Sequence, residues 1–412
     1  MSTNDLKVLS LVTKNAAVYL HNNLSGIKCM DNQYDSQFRA GGQQGGGSLQ
    51  VRLPSQYTVS TSAALSVQNI DEDTVTMTRA ERAQVSVALT SEELLNYIDN
   101  DAQVNNNIIK PIMATMASKI SSTVFTGVYS GIYQQAGTAG TAPASADPVL
   151  EAAQYLNESA APDDGERYLI LNPRSQRSLV NGLNGLYNPT AKISEQYIKG
   201  YMIDALGFKI YMDQTVPSHT NGLQAGTPLV KGASQTGSEL VTDGWTASTT
   251  ITAGTVIYLD PSAVSGTSAV YSVNAETKVA TSTKQKFVVT EAATASGAGE
   301  ATLKISPSII TSGATQTVSA SPVDNAAIVI AGDAGKTYGL NMAFHRQAIA
   351  FVTGDLPTDL PGVMARREVM DGISLRALRT YDAQNDRVIL RFDVCYGYKL
   401  IRPQLAVRLI GA

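Results

Sequence analysis

A chain of 412 residues with 43% hydrophobic content is long enough for several cores, and wholesale disorder is excluded. Charged residues make up 16% of it, low against a usual ~25%, and Ala, Gly, Ser and Thr fill the gap. The net charge of −4 excludes the electrostatic footprint of a tight nucleic-acid binder.

The N-terminus, MSTNDLKVLSLVTKNAAVYLHNN, has no basic stretch followed by an apolar block and small-residue cleavage site. A secretory signal is therefore not expected, and the chain reads as a cytosolic product or one released by lysis. Leu6, Leu9, Val12, Ala16, Val18 and Leu20 predict a helix over residues 3–24, with Thr3 or Asn4 as its cap. Residues 25–40 read as irregular. Gly41-Gly42-Gln43-Gln44-Gly45-Gly46-Gly47 is too glycine-rich for a regular element and reads as a hinge.

Beyond it, Leu49, Val51 and Leu53 alternate with polar residues up to Pro54. Val75 and Met77, then Val85, Val87 and Leu89, alternate in the same way. These predict an arm with two return strands across residues 41–89. Such a ribbon is marginal alone in water, so it is expected to lie on a sister molecule.

Thr90-Ser91-Glu92-Glu93 reads as a helix start, and an apolar stripe from Leu94 to Val128 predicts one long helix over 92–133. At 1.5 Å per residue that is roughly 60 Å. Pro111, behind Asn105-Asn106-Asn107, predicts a kink. Residues 134–147 read as a linker. Asp147 is expected to cap a helix carrying Pro148 at its first position.

Further on, Arg167–Leu171 predicts a strand, Asn172-Pro173 a helix start, 190–205 a helix and Gly207–Met212 a strand. Helices alternating with strands imply a covered sheet. Residues 223–333 turn Ser/Thr/Ala/Gly-rich, with short runs at Thr255–Leu259, Ala269–Val273, Lys286–Thr290, Ala301–Ile305 and Ala327–Ile330. Those runs predict an inserted small β-barrel or sandwich. In 388–402, Leu390, Phe392, Val394, Tyr396, Tyr398 and Leu400 share one face of a long strand. Arg391, Asp393, Cys395, Gly397 and Lys399 share the other, expected to be wet. Ile373–Thr380 is expected to pair with it across the Asp382–Asp386 turn.

Candidate chemistry is sparse. Gly335-Lys336-Thr337 follows an apolar strand, but a phosphate loop needs glycine five residues before Gly335, where Ile330 stands, and a helix after it. An ordinary turn is expected. His21, His219 and His345 are isolated in sequence, and His345 beside Arg346 reads as a structural hydrogen-bonding group. Cys29 and Cys395 read as reduced thiols. Asp71-Glu72-Asp73 lacks calcium-loop spacing and reads as a solvated turn. The Arg366-Arg367 doublet reads as a solvated edge. No catalytic, cofactor-binding or metal residue is expected, and no enzyme.

In order and in several stretches the chain resembles the P22-type coat proteins of tailed bacteriophages, within the wider HK97-like capsid fold. The stretches are SLQVRLPSQYTVS, ALTSEELLNYIDNDAQVNNNIIKPIMATMASKI, YLILNPRS, GFKIYMDQTVP, NMAFHRQAIAFVTGDLP and VILRFDVCYGYKLIRPQLAVRLIGA. The resemblance implies an α+β fold divided into an N-arm (1–42), an E-loop β-hairpin (43–91) and a spine helix of the P-domain with its linker (92–147). An A-domain (148–222), an inserted β-barrel (223–333) and a return to the A-domain and P-domain sheet (334–412) would follow. It implies a major capsid protein forming hexamers and pentamers of an icosahedral head around double-stranded DNA. Scaffolding and portal proteins are the implied partners, with no membrane and no sequence-specific DNA contact. The implied location is the virion capsid, and the host cytoplasm during assembly. Some such shells cross-link through an E-loop lysine; none lies between Lys28 and Lys110 here, so a non-covalent shell is expected. The rival readings are an encapsulin-like nanocompartment shell, a nucleotide-binding enzyme using Gly335-Lys336-Thr337, and a secreted surface protein.

Overall fold

The structure, a computed structural model, describes residues 3–34, 48–59, 63, 67–70, 72–78, 81–90, 92, 105–183, 204–260 and 269–411. In chain order these form helix α1 (Thr3–Asn23), strands β1 (Ser48–Arg52), β2 (Thr74–Thr78) and β3 (Glu81–Thr90), helix α2 (Lys110–Tyr129), strand β4 (Gln134–Ala136), helix α3 (Asp147–Glu158), strand β5 (Arg167–Leu171) and helix α4 (Pro173–Leu183). Then come β6 (Asp204–Ala205), β7 (Phe208–Met212), β8 (Ser218–Thr220), β9 (Gly226–Val230), β10 (Gly237–Trp245), β11 (Thr250–Ile251), β12 (Val256–Asp260), β13 (Tyr271–Val273) and β14 (Ala280–Lys284). The series ends with β15 (Lys286–Val289), β16 (Ala293–Thr294), β17 (Ala301–Ile309), β18 (Ala327–Ile330), β19 (Thr337–His345), β20 (Ile349–Gly354), β21 (Met364–Met370), β22 (Ile373–Asp382), β23 (Arg387–Leu400) and β24 (Ala406–Ile410). The fold is mixed α+β and rich in sheet. It divides into two units. The first holds Met1–Val51, Thr74–Val124 and Ile349–Ile401; the second holds Arg52–Asp73, Phe125–Ala348 and Arg402–Ala412.

In the first unit, β20, β23, β22 and β21 lie side by side, and β3 also pairs with β23. The β21–β22 hairpin turns through Asp371 and Gly372, both at positive φ. That is the backbone a two-residue hairpin loop requires, and Asp-Gly supplies it. The apolar side of the sheet carries Leu375, Ala377, Phe392 and Val394, all fully buried. Helix α1 buries Leu9, Thr13, Ala16, Ala17 and Leu20 at spacings of three and four. It packs on β21 and β22.

Two expectations are corrected here. Residues 81–90, expected in the return of a coreless arm, form β3, antiparallel to β23 from Tyr396 to Arg387. Val85, Val87 and Leu89 find an apolar neighbour strand within their own chain. The second face of β23, expected to be wet, is closed over its middle: Asp393 is fully buried and Cys395 is 7% exposed. The segment before β21 covers it, because Arg376 Nη1 donates to the Pro357 carbonyl at 2.8 Å.

Helix α2 buries Ile112, Met113, Met116, Ile120, Val124, Phe125 and Val128, the predicted stripe. A π-turn at Asn105–Ile109 precedes it. The widened turn falls where Pro111 offers Asn107 no amide hydrogen, at the place where a kink was expected. The helix ends at Tyr129 rather than 133, and residues 93–104 lie outside the described residues. Gln134–Ala136, expected in a linker, is β4, parallel to β24. The Gly41–Gly47 hinge also lies outside the described residues.

In the second unit one sheet runs β4–β24–β19–β5–β7–β6, with β8 on the start of β19. Helix α4 starts at the expected Asn172-Pro173, and Asn172 caps it, its Oδ1 accepting from Ser175 N at 2.7 Å. Asp147 does not cap α3. The helix begins at Asp147, and Ala146 stands at the cap without a side-chain hydrogen bond. Of the helix expected at 190–205, residues 190–203 lie outside the described residues and 204–205 form β6. A closed barrel follows, in the order β10–β17–β15–β12–β18–β9. Closure leaves no open sheet edge. Its core includes Val230, Leu240, Trp245, Ile257, Phe287, Leu303 and Ile328. Trp245 Nε1 donates to Thr242 Oγ1 at 2.8 Å, which donates to the Ala301 carbonyl at 2.6 Å. Strands β9 and β10 were not predicted; Pro228 and Gly244 interrupt their alternation.

Candidate assembly surfaces

Strands β1 and β2 form a two-stranded sheet of their own. Val51 and Met77 are buried in it, while the other residues of both strands keep at least part of their surface open. The loop joining them is held by a few polar contacts. Arg52 Nη1 meets Glu72 Oε2 at 3.0 Å, and Thr58 N donates to Gln68 Oε1 at 2.9 Å. Within its unit the loop touches β13–β14 through Lys278 Nζ and Gln56 Oε1, 3.3 Å apart. Four of its described apolar side chains stay open. Val59 is 94% exposed, Val67 82%, Ile70 74% and Tyr57 53%. Such a cluster on a thin ribbon is the mark of a contact surface.

The second surface is the polar side of the first unit's sheet. Asp393 on β23 takes Arg376 at 2.7 Å, Arg391 at 2.8 Å and Arg82 at 3.0 Å. Register explains the meeting: Arg376 lies directly opposite Asp393 on β22, and Arg82 on β3 lies opposite Cys395, two residues along. Burial pushes the Asp393 carboxyl up, but hydrogen bonds from Arg376, Arg391 and Arg82 outweigh it and hold the group below the usual carboxylate range. The sequence reading placed Asp393 on a wet face and missed this cluster. The available signal was an aspartate on one strand flanked by arginines on its two neighbours.

The decoys resolve geometrically. Gly335 is at φ +68° and Thr337 opens a strand, β19, not a helix. Asn221 N donates to the Lys336 carbonyl, so the segment is a strand-to-strand turn. His345 is fully buried and its Nε2 lies 3.1 Å from Asp164 Oδ1, a structural contact between β19 and the turn before β5. His21 Nε2 lies 2.8 Å from Asp371 Oδ2. His219 sits beside Tyr129, its Nδ1 3.2 Å from the phenol oxygen. Cys29 and Cys395 are both buried. Among the described residues no group of three or more His, Cys, Asp or Glu could hold a metal ion. No helix among them is long and apolar enough to cross a membrane.

Comparison with known structures finds phage particles. A chain from Mycobacterium phage Che8 matches with TM-score 0.45 and 11% identity, over 92% of this chain and 89% of that one. A chain from the capsid of Cyanophage P-SCSP1u gives 0.40 and 12%, over 89% and 84%. One from the mature capsid of bacteriophage PhiM1 gives 0.40 and 12%, over 89% and 82%. No curated protein sequence matches. The family assignment rests on a separate comparison: the family model described as "P22 coat protein - gene protein 5" matches residues 1–411. The chain belongs to the P22 coat protein family, and it is a phage coat protein that builds a capsid shell.

Proposed function

We propose that this coat protein assembles without covalent cross-links into hexamers and pentamers of an icosahedral head enclosing double-stranded DNA. One observation carries the reading beyond family membership. Among its described residues the loop between β1 and β2 exposes Tyr57, Val59, Val67 and Ile70. A side chain like Val59 gains its stabilisation only when another surface covers it. Copies contacting one another in rings make heterologous interfaces that close on themselves. Each contact can be weak, because many act together.

In this reading residues 1–42 are the N-arm, 43–91 the E-loop and 92–147 the spine helix with its linker. Residues 148–222 and the return segment of 334–412 build the A-domain and P-domain sheet around the barrel insertion at 223–333. The absence of lysine between Lys28 and Lys110 supports non-covalent joints. Scaffolding and portal proteins would be the assembly partners, the host cytoplasm the place of assembly, and the role is not enzymatic.

The test is electron microscopy and sedimentation of the purified protein, alone and with its scaffold. Closed particles that dissolve to single chains in hot detergent are expected. A monodisperse monomer under every condition, or a detergent-resistant ladder of oligomers, would refute the reading.

A further inference from the structure

Residues 221–222 lead the chain toward the first barrel strand, β9, and residues 331–333 lead it away from the last, β18. Asn221, 6% exposed, fastens the two crossings together. Its Nδ2 donates to the Ala331 carbonyl at 3.4 Å and to the Asp333 carbonyl at 3.2 Å, and its backbone N–H donates to the Lys336 carbonyl at 3.0 Å. An amide suits this place because both of its N–H groups find carbonyls. Gly222 is constrained by space. A Cβ there would lie 2.9 Å from both Ile251 Cα and Thr252 N, backbone atoms that do not yield. Hydrogen bonding thus calls for Asn and packing calls for Gly, and the two together make a reactive pair.

In an Asn-Gly pair the glycine backbone nitrogen attacks the asparagine side-chain carbonyl carbon. A new C–N bond closes a succinimide ring, the bond to Nδ2 breaks, and ammonia leaves with the proton that the glycine nitrogen gives up. Water then opens the ring to aspartate or isoaspartate. The attack requires a free glycine N–H, and here that group is engaged: Gly222 N donates to Thr255 Oγ1 at 2.9 Å. Thr255 is fully buried. Thr252 Oγ1 lies 3.0 Å from Thr255 Oγ1 and donates to the Thr220 carbonyl at 3.0 Å. The Thr252 proton is spent on that carbonyl, so Thr255 donates to Thr252 and keeps its oxygen open to Gly222. The chain of bonds closes on the residue before Asn221.

We propose that Asn221-Gly222 is a self-modification site, that the Thr255 hydroxyl holds it unreacted in the folded chain, and that its conversion to aspartate unfastens the barrel's entry from its exit. The only other reactant is water. The product carboxylate accepts but does not donate, so the Ala331 and Asp333 carbonyls lose this donor and face a negative charge instead.

Peptide mapping by mass spectrometry tests it on the full chain aged at mildly alkaline pH. Asn181-Gly182, exposed on α4, is the internal reference. Thr255→Val keeps the side-chain shape and removes the acceptor, so conversion at Asn221 should rise about fivefold or more while that at Asn181 stays the same. Thr255→Ser retains the hydroxyl and should age as the wild type does. Unfolding the wild type in urea should speed conversion at Asn221 by about tenfold or more, since burial and hydrogen bond are both lost. If Thr255→Val fails to fold, Thr252→Val breaks the same chain one hydroxyl further on and takes its place. Asn221→Asp, which mimics the product, should lower the thermal midpoint of the subunit and speed trypsin cutting after Lys336. Equal rates in Thr255→Val and wild type, a serine variant as fast as the valine one, or wild-type Asn221 ageing as fast folded as in urea overturns the guard. An Asn221→Asp chain that melts and resists trypsin as the wild type does overturns the unfastening.

Discussion

Arg408, at the middle of β24, donates to the backbone carbonyl of Tyr129, the last residue of α2. A second donor reaches the Gly254 carbonyl, in the loop before barrel strand β12, at 2.6 Å. The guanidinium also lies over the Tyr129 ring, 5.4 Å from its centre. One buried side chain thus ties a helix end, a sheet strand and the barrel together. The carboxyl end of a helix carries partial negative charge, and an arginine satisfies it there. Burial lowers the Arg408 pKa to about 9, and its Nε finds no partner.

Arg408→Ala should therefore cost about 3 kcal/mol, because two carbonyls lose their donor and a cavity opens. Arg408→Lys should recover part of that through one retained bond. Urea unfolding of the unassembled subunit measures both. Equal midpoints for wild type and Arg408→Ala would show that the tie contributes nothing.

His219 shares this site and confers a pH dependence. Burial, then the charge of Arg408, lowers its pKa from 6.5 to about 4. Between those values the unfolded chain takes up a proton that the folded chain refuses. Stability is fully present above pH 6.5 and is lost as pH falls toward 4, on the order of 3 kcal/mol from this residue. Carboxylates add their own acid loss, so the decisive quantity is a difference. His219→Gln should flatten the slope of the unfolding midpoint between pH 6.5 and 4.5 relative to wild type.

Gly254 sits at φ +88°, and a Cβ there would meet His219 Cε1 and Tyr129 Cε2, each at 3.2 Å. Both rings are packed and cannot swing aside cheaply. Gly254→Ala should destabilise by about 2 kcal/mol through backbone conformation and crowding together, read as a lower thermal midpoint of the subunit.

Asp393→Asn neutralises the carboxylate that Arg376 meets at 2.7 Å and leaves that guanidinium buried without this counter-ion. A loss of about 3–5 kcal/mol is expected. Restoring charge balance with Arg376→Met in the same chain should return part of it, and a double-mutant cycle in urea measures the coupling.

The barrel should fold alone. Its first and last strands pair at Leu229 and Ala327, so entry and exit lie side by side, and its core is continuous. A fragment spanning 224–332 should show strand-type circular dichroism and a cooperative melt. The remainder, closed by a short linker, should be weakened, because Tyr133 packs against Val256, Val288 and Ala331 and Arg408 loses the Gly254 carbonyl. A fragment that stays unfolded would show that the barrel depends on its host.

Local signals were legible where one neighbour interaction dominates. Period-two alternation located β1, β2, β12 and β18, and a three-four stripe located α2, because a side chain's facing direction follows from backbone geometry alone. The helix start at Asn172-Pro173 was readable for the same reason: the Asn172 cap found there joins groups three residues apart. The lack of phosphate-loop character at Gly335 needed only spacing.

What the tertiary structure decided was pairing across distance. Nothing within β3 says that it joins β23 rather than the arm, since the same alternating face suits either surface. Asp393 looked wet because its strand alternates, yet a covering segment and three arginines from separate strands bury it. Arg408 reads as an ordinary polar position until Tyr129 and Gly254 arrive, 279 and 154 residues away. Burial and charge partnership are properties of what surrounds a residue. Sequence order carries the periodicity of an element but not the identity of its neighbours.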